Sequence, residues 1–227
     1  MELYIHIVEG SLKPNSRWLE NHITKKIQTQ KRFLKTLEEQ FKLIRIILNK
    51  NNFTSVNLFF QDESRFGLIT KQKRVITAKG IKPIGTYKHS YLYKWLWGSF
   101  SPITGESFCM ITDSVSKEFF IKYLQDFSQN NPSELKIIVI DNASFHSTKD
   151  IKLPKNIILL PIPPYCPELN PAEKMWQWMK DKIAMKVYDT IDVLENKMAE
   201  LIQKAENQII KSVTGYDLYL NTYYSVF

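Results

Sequence analysis

Between residues 16 and 50 the apolar positions Leu34, Leu37, Phe41, Ile44 and Leu48 recur at steps of three and four, with Lys, Arg and Gln between them. That period predicts a long amphipathic helix. Asn49, Asn51 and Asn52 end it, and the run that follows, SVNLFFQD, is short, apolar and rich in strand formers before it closes on an acid. A folded unit is therefore expected to start near residue 52, with residues 1–51 as a helical N-terminal extension. Further on, KWLWGSF and SFCMIT flank residues 101–106, whose Pro102 and Gly105 are turn formers, so the pair reads as an antiparallel hairpin. Trp95 and Trp97 alternate along its first strand as core candidates.

Phe119, Phe120, Tyr123, Leu124 and Phe127 give the next segment one apolar face, and Asn130, Asn131 and Pro132 end it. LKIIVID is a nearly continuous apolar run closed by an acid, the pattern of a strand buried on both faces. A short strand, NIILLPI, follows. Six of the ten prolines lie between Pro154 and Pro171, which makes this connection stiff and extended. Two helices are expected to finish the chain, at about 171 to 187 and 191 to 213. Trp176, Met179 and Ile183 supply a core stripe in the first of them. Strands and helices in this order predict an α/β fold, a mixed sheet flanked by helices.

The chain has 227 residues, 44% apolar and 24% charged, a balance that supports one core with an appendage. The net charge of +8 points to an anionic partner such as nucleic acid. From residue 64 to 105 there is no acid, while Arg65, Lys71, Lys73, Arg74, Lys79, Lys82, Lys88 and Lys94 all fall inside. DNA contact is expected there, mostly to phosphates. Cys109 and Cys166 are the two cysteines, too few for a disulfide scaffold or a four-cysteine zinc site. With no signal-peptide pattern and no run of about 20 apolar residues, a cytoplasmic, nucleoid-associated protein is expected. Walker-type phosphate loops and GxGxxG are absent, which leaves nucleotide hydrolysis and dinucleotide cofactors without support.

Asp62 and Asp141 each stand where an apolar strand ends, the usual place for functional groups in open α/β sheets. If the strands are neighbours, the carboxylates sit side by side and repel unless a proton or a hard cation such as Mg²⁺ separates them. Singly, each reads as a strand-end turn residue. Glu173 also has a plain reading, because Asn170-Pro171-Ala172-Glu173 has the form of a capping box. The two roles differ in geometry: a capping carboxylate turns back on its own backbone, whereas a ligand reaches the aspartates.

In combination, FQDESRFGL (60 to 68), VIDNASFH (139 to 146) and LLPIPPYCPELNPAEKMWQWMK (159 to 180) resemble the catalytic domain of mariner-like insertion-sequence transposases of the DDE superfamily. The third stretch is the most specific, with Tyr165, the Leu169-Asn170-Pro171 step, Glu173 and Trp176 in one register. The resemblance covers about residues 52 to 187. It departs at Cys166, where serine is common, at Ala172, where isoleucine is common, and in the 31 residues between Asp141 and Glu173, slightly fewer than usual.

The resemblance implies a ribonuclease H-like DDE catalytic domain over 52–227, with Asp62, Asp141 and Glu173 as catalytic metal-binding carboxylates. It implies two Mg²⁺ ions, replaceable by Mn²⁺, holding the attacking and leaving oxygens of an in-line displacement. Glu63 and Asn142 are expected to orient the ligands. His146 either approaches the scissile phosphate or finishes a helix start, and the second is preferred. The implied activity is DNA strand cleavage and strand transfer in cut-and-paste transposition, on transposon ends and target DNA, by a homodimer; a TA target rests on the resemblance alone. The N-terminal 50 residues do not fit a trihelical DNA-binding unit, so a separate domain or chain is expected to recognise the ends. A non-catalytic DNA-binding remnant and another ribonuclease H-like nuclease are the competing readings.

Overall fold

The computed structural model describes residues 16–51, 53–74, 76–81, 84–142 and 152–227. Its centre is a five-stranded sheet in the order β3-β2-β1-β4-β5. These strands are β1 (Ser55–Gly67), β2 (Tyr93–Phe100), β3 (Ser107–Thr112), β4 (Glu134–Ile140) and β5 (Ile157–Pro161). The first three form an antiparallel meander, and β4 and β5 run parallel to β1. The expected hairpin is present, with Phe100 paired to Ser107 and Gly105 supplying the left-handed turn at φ +79°. Every residue of β4 is buried, in keeping with its apolar run and central position.

Alternation along β1 sorts its side chains to two cores. Leu58, Phe60 and Phe66 enter the larger one, which includes α3 (Ala172–Ile183). Phe59 enters the smaller one with Trp97 and the buried face of α2 (Lys117–Gln129). α2 begins at Ser116, whose side chain caps the Phe119 N–H, and it buries Phe120, Tyr123, Leu124 and Phe127 of the expected apolar face. Trp97 is fully buried, stacks on Phe120 and donates to Thr112 Oγ1, whereas Trp95 is half-buried at the sheet rim.

α1 (Ser16–Lys50) places Phe33, Leu37, Phe41 and Ile44 in the larger core. It packs there on the last helix, through Phe33 against Tyr219 and Phe41 against Tyr223. The C-terminal region departs from the two expected helices. The second is divided into α4 (Ile191–Lys204) and α5 (Asn207–Thr214), and α6 (Asp217–Val226) follows. Tertiary contact accompanies the break: the hairpin turn lies against α5, so close that a Cβ on Gly105 would sit 2.3 Å from the Asn207 carbonyl oxygen. α6 is fastened by tyrosine hydroxyls, Tyr219 donating to the Leu169 carbonyl and Tyr223 to that of Val56. Among the described residues no helix is long and apolar enough to cross a membrane.

Candidate active site

β1 and β4 are hydrogen-bonded as far as the pair Phe60–Val139. Two further steps of the same register bring Asp62 beside Asp141. Asp62 shares its sheet face with Phe60 and Phe66, and α3 covers it. Burial raises the Asp62 carboxyl from about 3.8 to about 7, aided by the neighbouring charges of Glu63 and Asp141 and opposed by hydrogen bonds from the Trp176 side chain and the Glu63 backbone. The Trp176 indole N–H donates to Asp62 Oδ2 at 2.8 Å. Its ring fits because the residue opposite Asp62 on β2 is Gly98, where a Cβ would meet the indole at 2.6 Å.

Glu173 lies in the first turn of α3 with its side chain exposed. The capping-box geometry is not adopted. A 3₁₀ turn, Pro167–Leu169, precedes the helix, and the Asn170 N–H that a capping carboxylate would take is bonded to the Pro167 carbonyl instead. The Asn170 side chain accepts from the Ala172 N–H and donates to the Gln61 carbonyl at 2.8 Å. Asn170 thus ties the start of α3 to the residue before Asp62. Glu173 precedes Trp176 by three residues, a spacing that puts their Cβ atoms about 5–6 Å apart on one helix face. Among the described residues no three His, Cys, Asp or Glu side chains converge as a metal cluster. Asp62 and Asp141 adjoin, and Glu173 stands one helical turn from the indole that touches Asp62.

Glu63 falls on the opposite sheet face, where its carboxylate accepts from Gln61 Nε2 at 2.6 Å. The Asn142 side chain donates to the Ile162 carbonyl, tying the chain after β4 to that after β5. Arg65, Lys71, Lys73, Arg74 and Lys79 are all exposed. Arg65 lies over the Tyr93 ring at 5.1 Å, and Lys73 is 3.8 Å from Asp181. His146 and Lys82 lie outside the described residues. Tyr165, in the proline-rich approach, is exposed on left-handed backbone at φ 61°.

Three contributors did not stand out in the sequence: the Asn170 amide, the indole N–H of Trp176 and Lys180, whose Nζ donates to Ser64 Oγ. Their signal was the spacing 173, 176 and 180, which keeps one face of α3 toward β1.

A five-stranded sheet with an antiparallel meander, two parallel strands and helices on both faces is a ribonuclease H-like fold. Within it Asp141 directly follows the end of β4, whereas Asp62, expected at a strand end, lies inside β1, because pairing with β2 carries that strand on to Gly67. The family model for the DDE superfamily endonuclease matches residues 57–195. The chain belongs to that family. It is similar to an uncharacterized protein, y4pE/y4sA, of Sinorhizobium fredii (strain NBRC 101917 / NGR234), at 29% identity over 91 residues, 40% of this chain and 67% of that protein. Its fold matches the Mos1 transposase paired-end complex with left transposon end, with a TM-score of 0.64 and 13% identity over all of this chain. The chain spans 66% of the length of that transposase. The Mos1 mariner paired end complex with Mn matches similarly, with a TM-score of 0.64, 14% identity, and coverage of all of this chain and 67% of that one.

Proposed function

We propose that the chain is the catalytic part of a DNA transposase, with residues 52–227 as the catalytic unit and residues 1–51 leading toward a separate end-recognition domain or chain. On this reading it cleaves DNA strands at transposon ends and transfers them to target DNA as a homodimer, in the cytoplasm and in association with the nucleoid. The observation that carries the reading is the meeting of Asp62, inside β1, with Asp141, at the end of the neighbouring β4, under a helix whose start is tied to Gln61. Membership of the DDE endonuclease family and the Mos1-like fold support it.

The donor groups suit a hard divalent cation. They are carboxylate oxygens, and the desolvation that raises Asp62 leaves its anion in need of a positive partner. Asp62, Asp141 and Glu173 would hold Mg²⁺ or Mn²⁺, in two sites. When bound, such ions polarise a phosphodiester and lower the pKa of a water nucleophile. The protein's own groups prepare for this. Trp176 holds Asp62 Oδ2, which fixes the carboxylate's rotamer. Asn170 fixes the approach of α3, and Glu173 keeps its carboxylate clear of local hydrogen bonds. The exposed cations from Arg65 to Lys79 offset the repulsion between a carboxylate site and the DNA backbone.

Calorimetric Mn²⁺ titration beside plasmid nicking tests the reading. The wild type is expected to bind Mn²⁺ and nick, and Asp141→Asn to lose both. Equal binding and equal nicking in the two proteins would overturn it.

A further inference from the structure

Beside Asp62 lies a cavity of about 130 Å³ between the end of β1 and the C-terminal half of α3. Arg65, Lys71, Lys180 and Lys186 are among its lining residues, and no acid is; the Arg65 side chain alternates to the other sheet face, over the Tyr93 ring, so its charge acts on the cavity from a distance. Tyr188 also lines it, with its hydroxyl oxygen buried away from solvent. The volume is below the roughly 300–1,000 Å³ of pockets for drug-sized ligands, and suits a phosphate group better than a base or nucleoside.

The cations are held in place. Lys180 Nζ donates to Ser64 Oγ and lies 5.3 Å from the Phe66 ring centre, contacts that position its charge without neutralising it. The Lys71 carbonyl accepts the Met185 N–H at 2.9 Å, which pins the loop after β1 onto the end of α3. The neighbouring acid Asp181 is turned to Lys73. Burial and then the Lys71 charge push the Lys180 ammonium below the ordinary lysine range, with a smaller push from Arg65, and the attraction of Asp62 only partly opposes them. An anion in the cavity relieves that repulsion.

The position relative to the carboxylates follows from two parallel contacts. Trp176 meets Asp62 and Lys180 meets Ser64, four residues on along α3 and two along β1. Four helical residues rise about 6 Å and two strand residues about 6.7 Å. The elements therefore keep step, and Lys180 acts about 6–7 Å along from Asp62. Phosphates of one DNA strand advance about 3.4 Å of helix axis each. We propose that Lys71, Lys180 and Lys186 form one seat for a DNA backbone phosphate, within about two nucleotides of the bond cut at Asp62 and Asp141. The seat rests on the endonuclease reading for its purpose, though not for its binding.

The test is DNA binding by fluorescence anisotropy in EDTA across a salt series, with the full chain. Lys180→Gln, Lys186→Gln and the double variant are compared with wild type and with Lys122→Gln, a control on α2. Neutralising one phosphate contact changes the slope of log K against log salt by about 0.9. The double variant is expected to lose about that much, since both lysines serve one phosphate, and inorganic phosphate is expected to compete with DNA less well in it than in wild type. A slope and affinity equal to wild type in both single variants would overturn the seat, as would a loss near twice 0.9 in the double variant, which means two phosphates. Lys186 is exposed, so its substitution keeps the test valid if Lys180→Gln folds poorly. Nicking in Mn²⁺ is scored separately: a wild type that binds DNA with the expected slopes and never nicks defeats the endonuclease reading and leaves the seat supported.

Discussion

Replacing Asp62 by asparagine should stabilise the metal-free protein, and by an amount that depends on pH. Burial raises this carboxyl from about 3.8 to about 7. A raised carboxyl favours folding in its protonated form, so its contribution is complete below the unfolded value and disappears as pH rises through about 7. The whole shift is worth about 4 kcal/mol at 1.36 kcal/mol per tenfold change in the proton equilibrium. At pH 8 nearly all of that penalty is present; at pH 5 it is about 1.7 kcal/mol. Asparagine has the same shape, stays neutral, and offers Oδ1 to the Trp176 indole. Urea unfolding in EDTA at the two pH values should therefore show Asp62→Asn exceeding wild type by about 4 kcal/mol at pH 8, and by about 2.5 kcal/mol less at pH 5. Mn²⁺ at 100 times its dissociation constant should return about 2.7 kcal/mol to wild type and little to the variant. A stability difference that does not change with pH, or a variant less stable than wild type at pH 8, would refute the argument that a buried charge is stored at this position.

Other substitutions separate structure from chemistry. Glu173→Gln should leave the free energy of urea unfolding within about 0.5 kcal/mol of wild type, because the side chain is exposed, while abolishing Mn²⁺-dependent nicking. Asn170→Ala removes bonds to Gln61 and Ala172 and should cost about 1–3 kcal/mol in urea unfolding, with weaker Mn²⁺ binding in calorimetry. Gly98→Ala forces a methyl against the Trp176 and Phe100 rings; it should cost about 1–3 kcal/mol, and the displaced indole should shift the tryptophan fluorescence.

Much of the sheet was legible because its signals are local. β4 announces itself by an unbroken apolar run, the hairpin by Pro102 and Gly105, and α2 by its stripe of aromatic residues with Asn130, Asn131 and Pro132 behind it. Asp141 follows the end of its strand as its position suggested, and the β1–β4 pairing makes Asp62 its neighbour; Asp62 itself lies within β1, because the polar residues after it still pair with β2 as far as Gly67. What escaped depends on distant parts of the chain. The break at Ala205 coincides with a contact from far along the chain, the turn at Gly105 packing against Asn207. α6 is held by tyrosine hydroxyls reaching carbonyls on other elements, which no periodicity reveals. The Asn170 motif had the form of a capping box, yet the 3₁₀ turn before it takes the N–H that such a box requires. Trp176 was read as a core residue, and it is one, packing on Phe66 and Phe100; its second task lies in a single N–H. Glu63 was expected to assist Asp62, but the two alternate across the strand and its side chain faces α2, within electrostatic range of Tyr123.

The contact between Trp176 and Asp62 joins residues 114 apart in the chain. Synthesis at about 5–20 residues per second separates their appearance by roughly 6–23 s. During that interval the nascent chain carries Asp62 and then the basic loop, and over roughly its last third Asp141 as well, without the helix that organises them. The ribosome thus delivers the parts for cutting DNA well before it delivers the part that assembles them, and a chain released early carries acids but no working blade.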